Sequence, residues 1–180
     1  GNIAHLNLIN ANRFRMLDLT VPSAPANHGA NWNDPNGAPH ASWPVGDGAH
    51  IVMAEENGGG HIKILDVSNP SSIQIASTIN PVPSASMHNP HVEGTFLYCA
   101  WYATGTRIFD VSTPTAPSEV GYLDTFPDHD AGGVGPGNWG TYPHLPSGTV
   151  ASNDGTYGLF LFKYEPDAAT LDGTVSSSAG

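Results

Sequence analysis

Histidines recur at matching spacing in this sequence and are the residues best suited to chemistry. His40 and His88 lie 48 residues apart, each ahead of a predicted strand, and His91 follows closely. Glu55 and Glu56 end another predicted strand. Because imidazole and carboxylate together suit Zn, Cu or Fe, these five residues are candidate ligands of a transition metal at a common axis. The alternative is that the same side chains form hydrogen bonds between neighbouring structural units.

A second candidate site is the segment 128–133, which begins with the Asp-x-Asp-x-Gly pattern of a calcium loop. Asp128 and Asp130 would supply its first carboxylate oxygens to Ca²⁺. The pattern lacks an oxygen ligand at the fifth position and the Glu at the twelfth, where Trp139 stands. A solvated glycine-rich loop is the alternative interpretation. The cofactors that the sequence suggests are therefore Ca²⁺ or a transition metal.

Other functional classes find no support in the sequence. There is no Gly-x-Ser-x-Gly elbow, and no Lys follows the glycine-rich segment 132–137 as a phosphate loop requires. Five Lys and Arg residues against sixteen Asp and Glu give a net charge of −11. Without a basic cluster, nucleic acid is excluded as a partner. No apolar run approaches the roughly 20 residues of a membrane helix, so no transmembrane segment is predicted.

An internal repeat defines the elements that must position the candidate residues. Its pattern is a basic residue, two apolar residues, Asp, Leu or Val, Ser or Thr, any residue, and Pro. Each copy is predicted to be a strand that ends in a turn, where the Asp side chain accepts a hydrogen bond from the backbone two residues on. The three aspartates are 48 and 44 residues apart. The copies lie at residues 15–22, 63–70 and 107–114, and a degenerate fourth copy lies at 158–166.

The repeat predicts an all-β fold, a β-propeller of about four blades. Another strand precedes each copy, at residues 3–9, 50–54, 95–101 and 149–152, and hairpin links with Gly or Asn join the pairs. A unit of 40–50 residues with several short strands is the signature of a propeller blade. The approximate blades are residues 1–30, 31–80, 81–125 and 126–167. Residues 168–180 are predicted to form a flexible tail or linker.

With this repeat, the chain resembles the LVIVD-repeat β-propellers, the group often called choice-of-anchor B proteins. The resemblance covers most of residues 3–166 and implies a secreted or cell-surface propeller with a C-terminal anchor, without a common activity. Family members usually carry more than four repeats, so the chain is expected to be a fragment or to complete its ring with another copy. The stretches that carry it are the repeated turn, residues 87–92 and 97–102, and residues 107–124 and 137–148.

The main functional expectation is an extracellular or cell-surface module for binding, adhesion or assembly, without catalysis. Its partner would be a protein, a surface or a second copy in a homo-oligomer. One alternative is a metal-dependent propeller enzyme, an oxidase or hydrolase, with His and Glu ligands at the propeller axis. Another alternative is a structural subunit of a surface polymer. The absence of a familiar catalytic motif in the sequence places the non-catalytic module first.

Overall fold

The computed structural model describes residues 2–35, 37–128 and 132–166, together with the backbone of residues 173–174. In these residues, sixteen strands form four antiparallel sheets, and one 3-10 turn occurs at Ile9–Ala11. The expectation of an all-β fold with about four blades is confirmed. The strands are β1 (Ile3–Leu8), β2 (Arg13–Asp18), β3 (Ala26–Asn27), β4 (Trp32–Asn33), β5 (Pro39–Pro44), β6 (His50–Glu55), β7 (Ile62–Asp66), β8 (Gln74–Ile79), β9 (Pro90–Glu93), β10 (Phe96–Ala100), β11 (Thr106–Asp110), β12 (Ser118–Leu123), β13 (Asn138–Tyr142), β14 (Val150–Asp154), β15 (Gly158–Phe162) and β16 (Gly173–Thr174).

Three edge strands lie next to one another along a common axis. The second, third and fourth sheets have the orders β5-β6-β7-β8, β9-β10-β11-β12 and β13-β14-β15-β16. β9 lies against both β5 and β13, whereas β1 of the first sheet lies against β5. The edge strands of adjacent sheets are therefore side by side, as the innermost strands of propeller blades are.

The positions of two short strands differ from the predicted blade limits. β4 pairs with β2 and belongs to the first sheet, although the second blade is predicted to begin at residue 31. β16 pairs with β15, inside the segment predicted as a tail. Among the described residues, no helix is long and apolar enough to cross a membrane.

The repeated aspartates form the predicted turns. The side chain of Asp66 accepts a hydrogen bond from the backbone N–H of Ser68 at 2.9 Å. The corresponding distances are 2.7 Å from Thr20 to Asp18 and 2.8 Å from Ser112 to Asp110. Hydrogen bonds from the residues two positions further on, Thr20, Ser68 and Ser112, also lower the pKa of the three aspartates. The turn interpretation of the repeat is thus confirmed.

We expect Asp66→Ala to lower the free energy of unfolding by about 1 kcal/mol, because the N–H of Ser68 loses its acceptor in the turn. Urea unfolding monitored by tryptophan fluorescence would measure the change. Asp66→Asn keeps an oxygen acceptor at this position and is the matched control, with a smaller expected loss. An Asp66→Ala protein as stable as the wild type would show that the turn bond contributes nothing.

The core consists of apolar layers between successive blades. Ile64 of β7 is buried in a cluster that includes Met87 and Val92 of the next blade, and Ile108 of β11 packs with Val150 and Phe162 of the fourth. The fourth copy of the repeat differs. Leu161, which corresponds to Ile64 and Ile108, is 43% exposed. Each blade therefore covers the apolar face of the blade before it, and within the described residues nothing covers this face of β15.

Candidate functional site

The structure brings three of the predicted ligands together: His40, Glu56 and His88. β5 pairs with β6, and the register shifts so that Ala41 faces Ala54 whereas Pro39 faces Glu55. His40 is the extra residue of this bulge, and a bulge redirects a side chain. The redirected imidazole lies beside Glu56, which directly follows β6 and is fixed by a backbone hydrogen bond to Ala38.

His88 reaches the same place from the next blade, two residues ahead of β9. Its Nε2 atom lies 3.7 Å from Oε1 of Glu56, and Nδ1 of His40 lies 3.2 Å from Oε2. The two imidazole centroids are 4.4 Å apart. One ligand atom from each of the three residues lies within 4.8 Å of the others, which is close enough for all three to hold one metal ion.

Backbone and side-chain groups of neighbouring residues hold the ring of His88. Its Nδ1 atom is 2.6 Å from the carbonyl oxygen of Trp139. A proton on Nδ1 would satisfy this carbonyl and leave the lone pair of Nε2 on the side of Glu56. The amide nitrogen of Asn89 lies 2.7 Å from Nδ1 and donates to the same carbonyl at 3.2 Å. Burial lowers the pKa of His88, which favours the neutral imidazole that a metal requires.

Tyr102 holds the carboxylate in position. Its hydroxyl donates a hydrogen bond to Oε1 of Glu56, and its ring is fully buried. Burial and the adjacent carboxylate raise the pKa of Tyr102, so the phenol stays protonated and remains a donor. Trp139 completes the surroundings, with its ring centroid 4.7 Å from that of His88 and half of its surface exposed. The site therefore has a fixed ligand set beside an exposed aromatic surface.

Glu55 lies apart from this cluster, in a buried group of charges. Lys63 is 3% exposed, and its ammonium group donates to both Glu55 and Asp34. Nδ1 of His61 lies 3.1 Å from the other oxygen of Glu55. Burial, followed by the neighbouring Asp34, raises the pKa of Glu55 to about 7. The group joins the first two blades and does not face His40 or His88.

The remaining predicted ligands also lie elsewhere. His91, in β9, packs against Trp43 and His144, and burial lowers its pKa to about 4. Asp128 is exposed and accepts a hydrogen bond from the hydroxyl of Tyr157 at 2.8 Å. Asp130 falls outside the described residues, so the calcium loop stays a prediction.

Sequence reasoning did not assign Tyr102 and Trp139 to the site. Both come from later in the chain than the ligands that they contact, Glu56 and His88, so no local motif contains them. One signal was present for Trp139. It follows His88 by 51 residues, much as His88 follows His40 by 48, and thus holds the same place in its blade.

Comparisons with known proteins agree with the fold. A family model of the LVIVD repeat matches residues 57–80 and 89–125. A search of curated proteins found no match to the sequence. Among solved structures, the chain is similar to the periplasmic gluconolactonase PpgL of Pseudomonas aeruginosa, at 15% identity and a TM-score of 0.76, over 98% of this chain and 51% of that one. It thus spans about half of that protein's length.

Two further structures show the same likeness. A Bacteroides fragilis protein assigned as a 6-phosphogluconolactonase has 18% identity and a TM-score of 0.72, over 96% of this chain and 50% of that one. The β-propeller domain of Myceliophteria thermophila Cps50 (Swd1) has 12% identity and a TM-score of 0.67, over 95% of this chain and 55% of that one. At these identities the likeness establishes the fold.

The comparisons correct the main functional expectation. Structures named as a gluconolactonase and a 6-phosphogluconolactonase contradict a non-catalytic module for binding, adhesion or assembly, which was wrong. The repeat match confirms the resemblance that the turn motif indicated. Residues 57–80 and 89–125 carry LVIVD repeats, and the chain has a β-propeller fold.

Proposed function

We propose that the protein is a metal-dependent hydrolase of lactones or related esters. The observation that carries the proposal is the convergence of His40, Glu56 and His88, with ligand atoms within 4.8 Å of one another. Two His and one Glu form the ligand set of catalytic zinc sites that keep a position open for water or substrate. Tyr102 and the Trp139 carbonyl support two of the three ligands, as outer groups do in such sites.

The ligand set suits hydrolysis. When bound, a divalent cation would polarise an ester carbonyl and lower the pKa of a water molecule. His40 and His88 would bind through neutral nitrogens, and Tyr102 would keep Glu56 oriented. The exposed ring of Trp139 offers a flat apolar surface beside the ligand atoms, where a sugar ring could lie.

The names of the structural neighbours suggest two substrates, gluconolactone and its 6-phosphate. The charges of this chain favour the uncharged one, because a phosphate group is usually recognised by Lys or Arg. In the part of the chain that the structure describes, no Lys or Arg forms a hydrogen bond or ion pair with His40, Glu56 or His88. Arg13 bonds to Asn33, Arg15 to Asn27, Arg107 to Glu119 and Lys63 to Asp34 and Glu55, and Lys163 is exposed directly after β15.

The test is hydrolysis of δ-gluconolactone by the full chain, first stripped with a chelator and then loaded with Zn²⁺. We expect activity only after loading, and a kcat/KM for the 6-phosphate at least about tenfold lower, a difference of about 1.4 kcal/mol. Equal kcat/KM values for both substrates would contradict only the preference for the uncharged lactone, not the proposed hydrolase activity. Full activity of the stripped protein would contradict the metal, and no hydrolysis of any lactone after loading would contradict the proposed function.

We also propose a location outside the cytoplasm. The LVIVD resemblance supports it, as does the periplasmic location in the name of the P. aeruginosa neighbour. Cell fractionation with an antibody against this chain would test the location. Recovery of the protein with cytoplasmic markers would contradict it.

A further inference from the structure

We infer that the chain holds a second transition-metal site, formed by His91 and His144 and separate from the His40–Glu56–His88 cluster. His91 lies in β9, and His144 follows β13 by two residues. The two strands are innermost strands of adjacent blades. The imidazole centroids lie 5.5 Å apart, with the ring planes at 63°.

Each imidazole has a buried nitrogen without a hydrogen-bond partner among the described residues. These atoms are Nδ1 of His91 and Nε2 of His144. A buried polar atom without a partner costs free energy, so two of them on neighbouring rings require an explanation. A metal ion bound to both nitrogens would satisfy both at once.

The other ring nitrogen of His144, Nδ1, contacts the carboxylate of Glu93. This atom lies 2.6 Å from Oε2 of Glu93. In a neutral imidazole, donation from Nδ1 to this carboxylate leaves the lone pair on Nε2, the buried atom without a hydrogen-bond partner among the described residues. A histidine that donates one N–H to a carboxylate and offers its other nitrogen is the usual arrangement of a metal ligand with its outer-shell partner.

Trp43 holds both imidazoles in place. Its ring stacks on His144 with 5.1 Å between centroids and an interplanar angle of 19°, and it lies 4.5 Å from the His91 ring. Tyr142 meets both histidines edge-on. These contacts would restrict the ring orientations before any metal binds, which lowers the entropic cost of coordination.

The spacing of the rings suits a shared metal ion. A zinc–nitrogen bond of about 2.0–2.1 Å places each ring centre about 3.2 Å from the metal, so two imidazoles at a tetrahedral angle have centres about 5.2 Å apart. The observed separation is 5.5 Å. Imidazole nitrogens bind Zn and Cu well, and the remaining positions would be left to water or a ligand.

The second site lies further along the innermost strands than the first. His91 follows His88 by three residues, a distance of about 10 Å in an extended chain. Trp43 follows His40, and Tyr142 follows Trp139, by the same three residues. The same three blades therefore contribute two successive layers of rings along the axis: His40, His88 and Trp139 in the first, and Trp43, His91 and Tyr142 in the second.

The test is a zinc titration of the full, metal-stripped chain in competition with a chromophoric chelator. We expect two zinc ions per chain in the wild type, one in His91→Ala and one in His88→Ala. Glu93→Gln should weaken the second site about 10–100-fold, because it removes the acceptor for His144. His28→Ala changes a histidine in the first blade and is the matched control, with two zinc ions retained.

Long-range ¹H–¹⁵N spectra of the wild type provide a readout that needs no variant. Zinc should shift Nδ1 of His91 and Nε2 of His144, and the absence of both shifts would overturn the inference. So would a single zinc ion that is lost in His88→Ala and kept in His91→Ala, a result that leaves the proposed hydrolase untouched. A zinc ion retained by His88→Ala, together with no lactone hydrolysis by the zinc-loaded wild type, would support the second site and contradict the proposed function.

Discussion

Replacing Lys63 with methionine is expected to lower the free energy of unfolding by about 3–5 kcal/mol. The ammonium group is the cation between the buried carboxyl groups of Asp34 and Glu55. Its loss would leave these groups facing each other without compensation, a far larger penalty than the loss of packing from a side chain of similar length. Chemical denaturation at pH 8 would measure the change.

The pH dependence distinguishes this cause from lost packing. The pKa of Glu55 is raised to about 7 from 4.5 in the unfolded chain, so the folded state binds the extra proton between these values. This contribution to stability is fully present below about pH 4.5 and is lost as the pH rises through about 7. The deficit of Lys63→Met should therefore be smaller at pH 5 than at pH 8. An equal deficit at both pH values would indicate lost packing.

Glu55→Gln is the matched control for that experiment. It removes the titrating carboxyl and keeps the shape of the side chain. We expect the stability of Glu55→Gln to change less between pH 5 and pH 8 than that of the wild type. The two variants together separate the charge of Lys63 from its packing against the Trp32 ring, whose centroid lies 5.5 Å from the ammonium nitrogen.

Replacing Glu56 with glutamine is expected to reduce kcat/KM for δ-gluconolactone by at least about 100-fold. The change removes the carboxylate ligand that lies between His40 and His88, so that two neutral imidazoles would remain to hold the cation. Metal content, measured together with initial rates, should fall in parallel with activity.

Two further variants make the Glu56 result interpretable. Tyr102→Phe removes only the hydroxyl that donates to Glu56, and we expect a loss of about 10–100-fold in metal affinity with all three ligands present. Glu165→Gln alters an exposed carboxylate of the fourth blade and should change neither metal content nor rate. Wild-type activity in Glu56→Gln would show that the reaction does not need this carboxylate and would contradict the proposed site.

The sequence was informative where local chemistry decides the structure. The hairpin of β6 and β7 and the turn at Asp66 follow from apolar β-forming residues and from an aspartate that bonds within three residues. The innermost strands β5, β9 and β13 were not predicted. These strands face the axis and pack on only one side. Their sequences therefore lack the apolar alternation that signals a strand, which is interrupted at Pro39, His40 and Pro90.

The candidate site was only partly predictable, for a related reason. The recurrence of His40 and His88 indicated that they would meet, and the structure brings them together. Sequence could not separate Glu56 from Glu55, because one residue along a strand changes the face on which a side chain lies. The roles of Tyr102 and of the Trp139 carbonyl depend on contacts between blades, which no spacing within one repeat encodes.

The exposed face of β15 bears on the colloidal behaviour of the chain. Leu159 and Leu161 are 53% and 43% exposed, at positions that the earlier blades bury. Such apolar strands favour contact between molecules, whereas the mutual repulsion of chains that carry a net charge of −11 opposes it. Repulsion reaches only about 10 Å at 0.1 M salt and about 3 Å at 1 M. Ionic strength therefore sets the balance between dispersed molecules and molecules that associate through this face of β15.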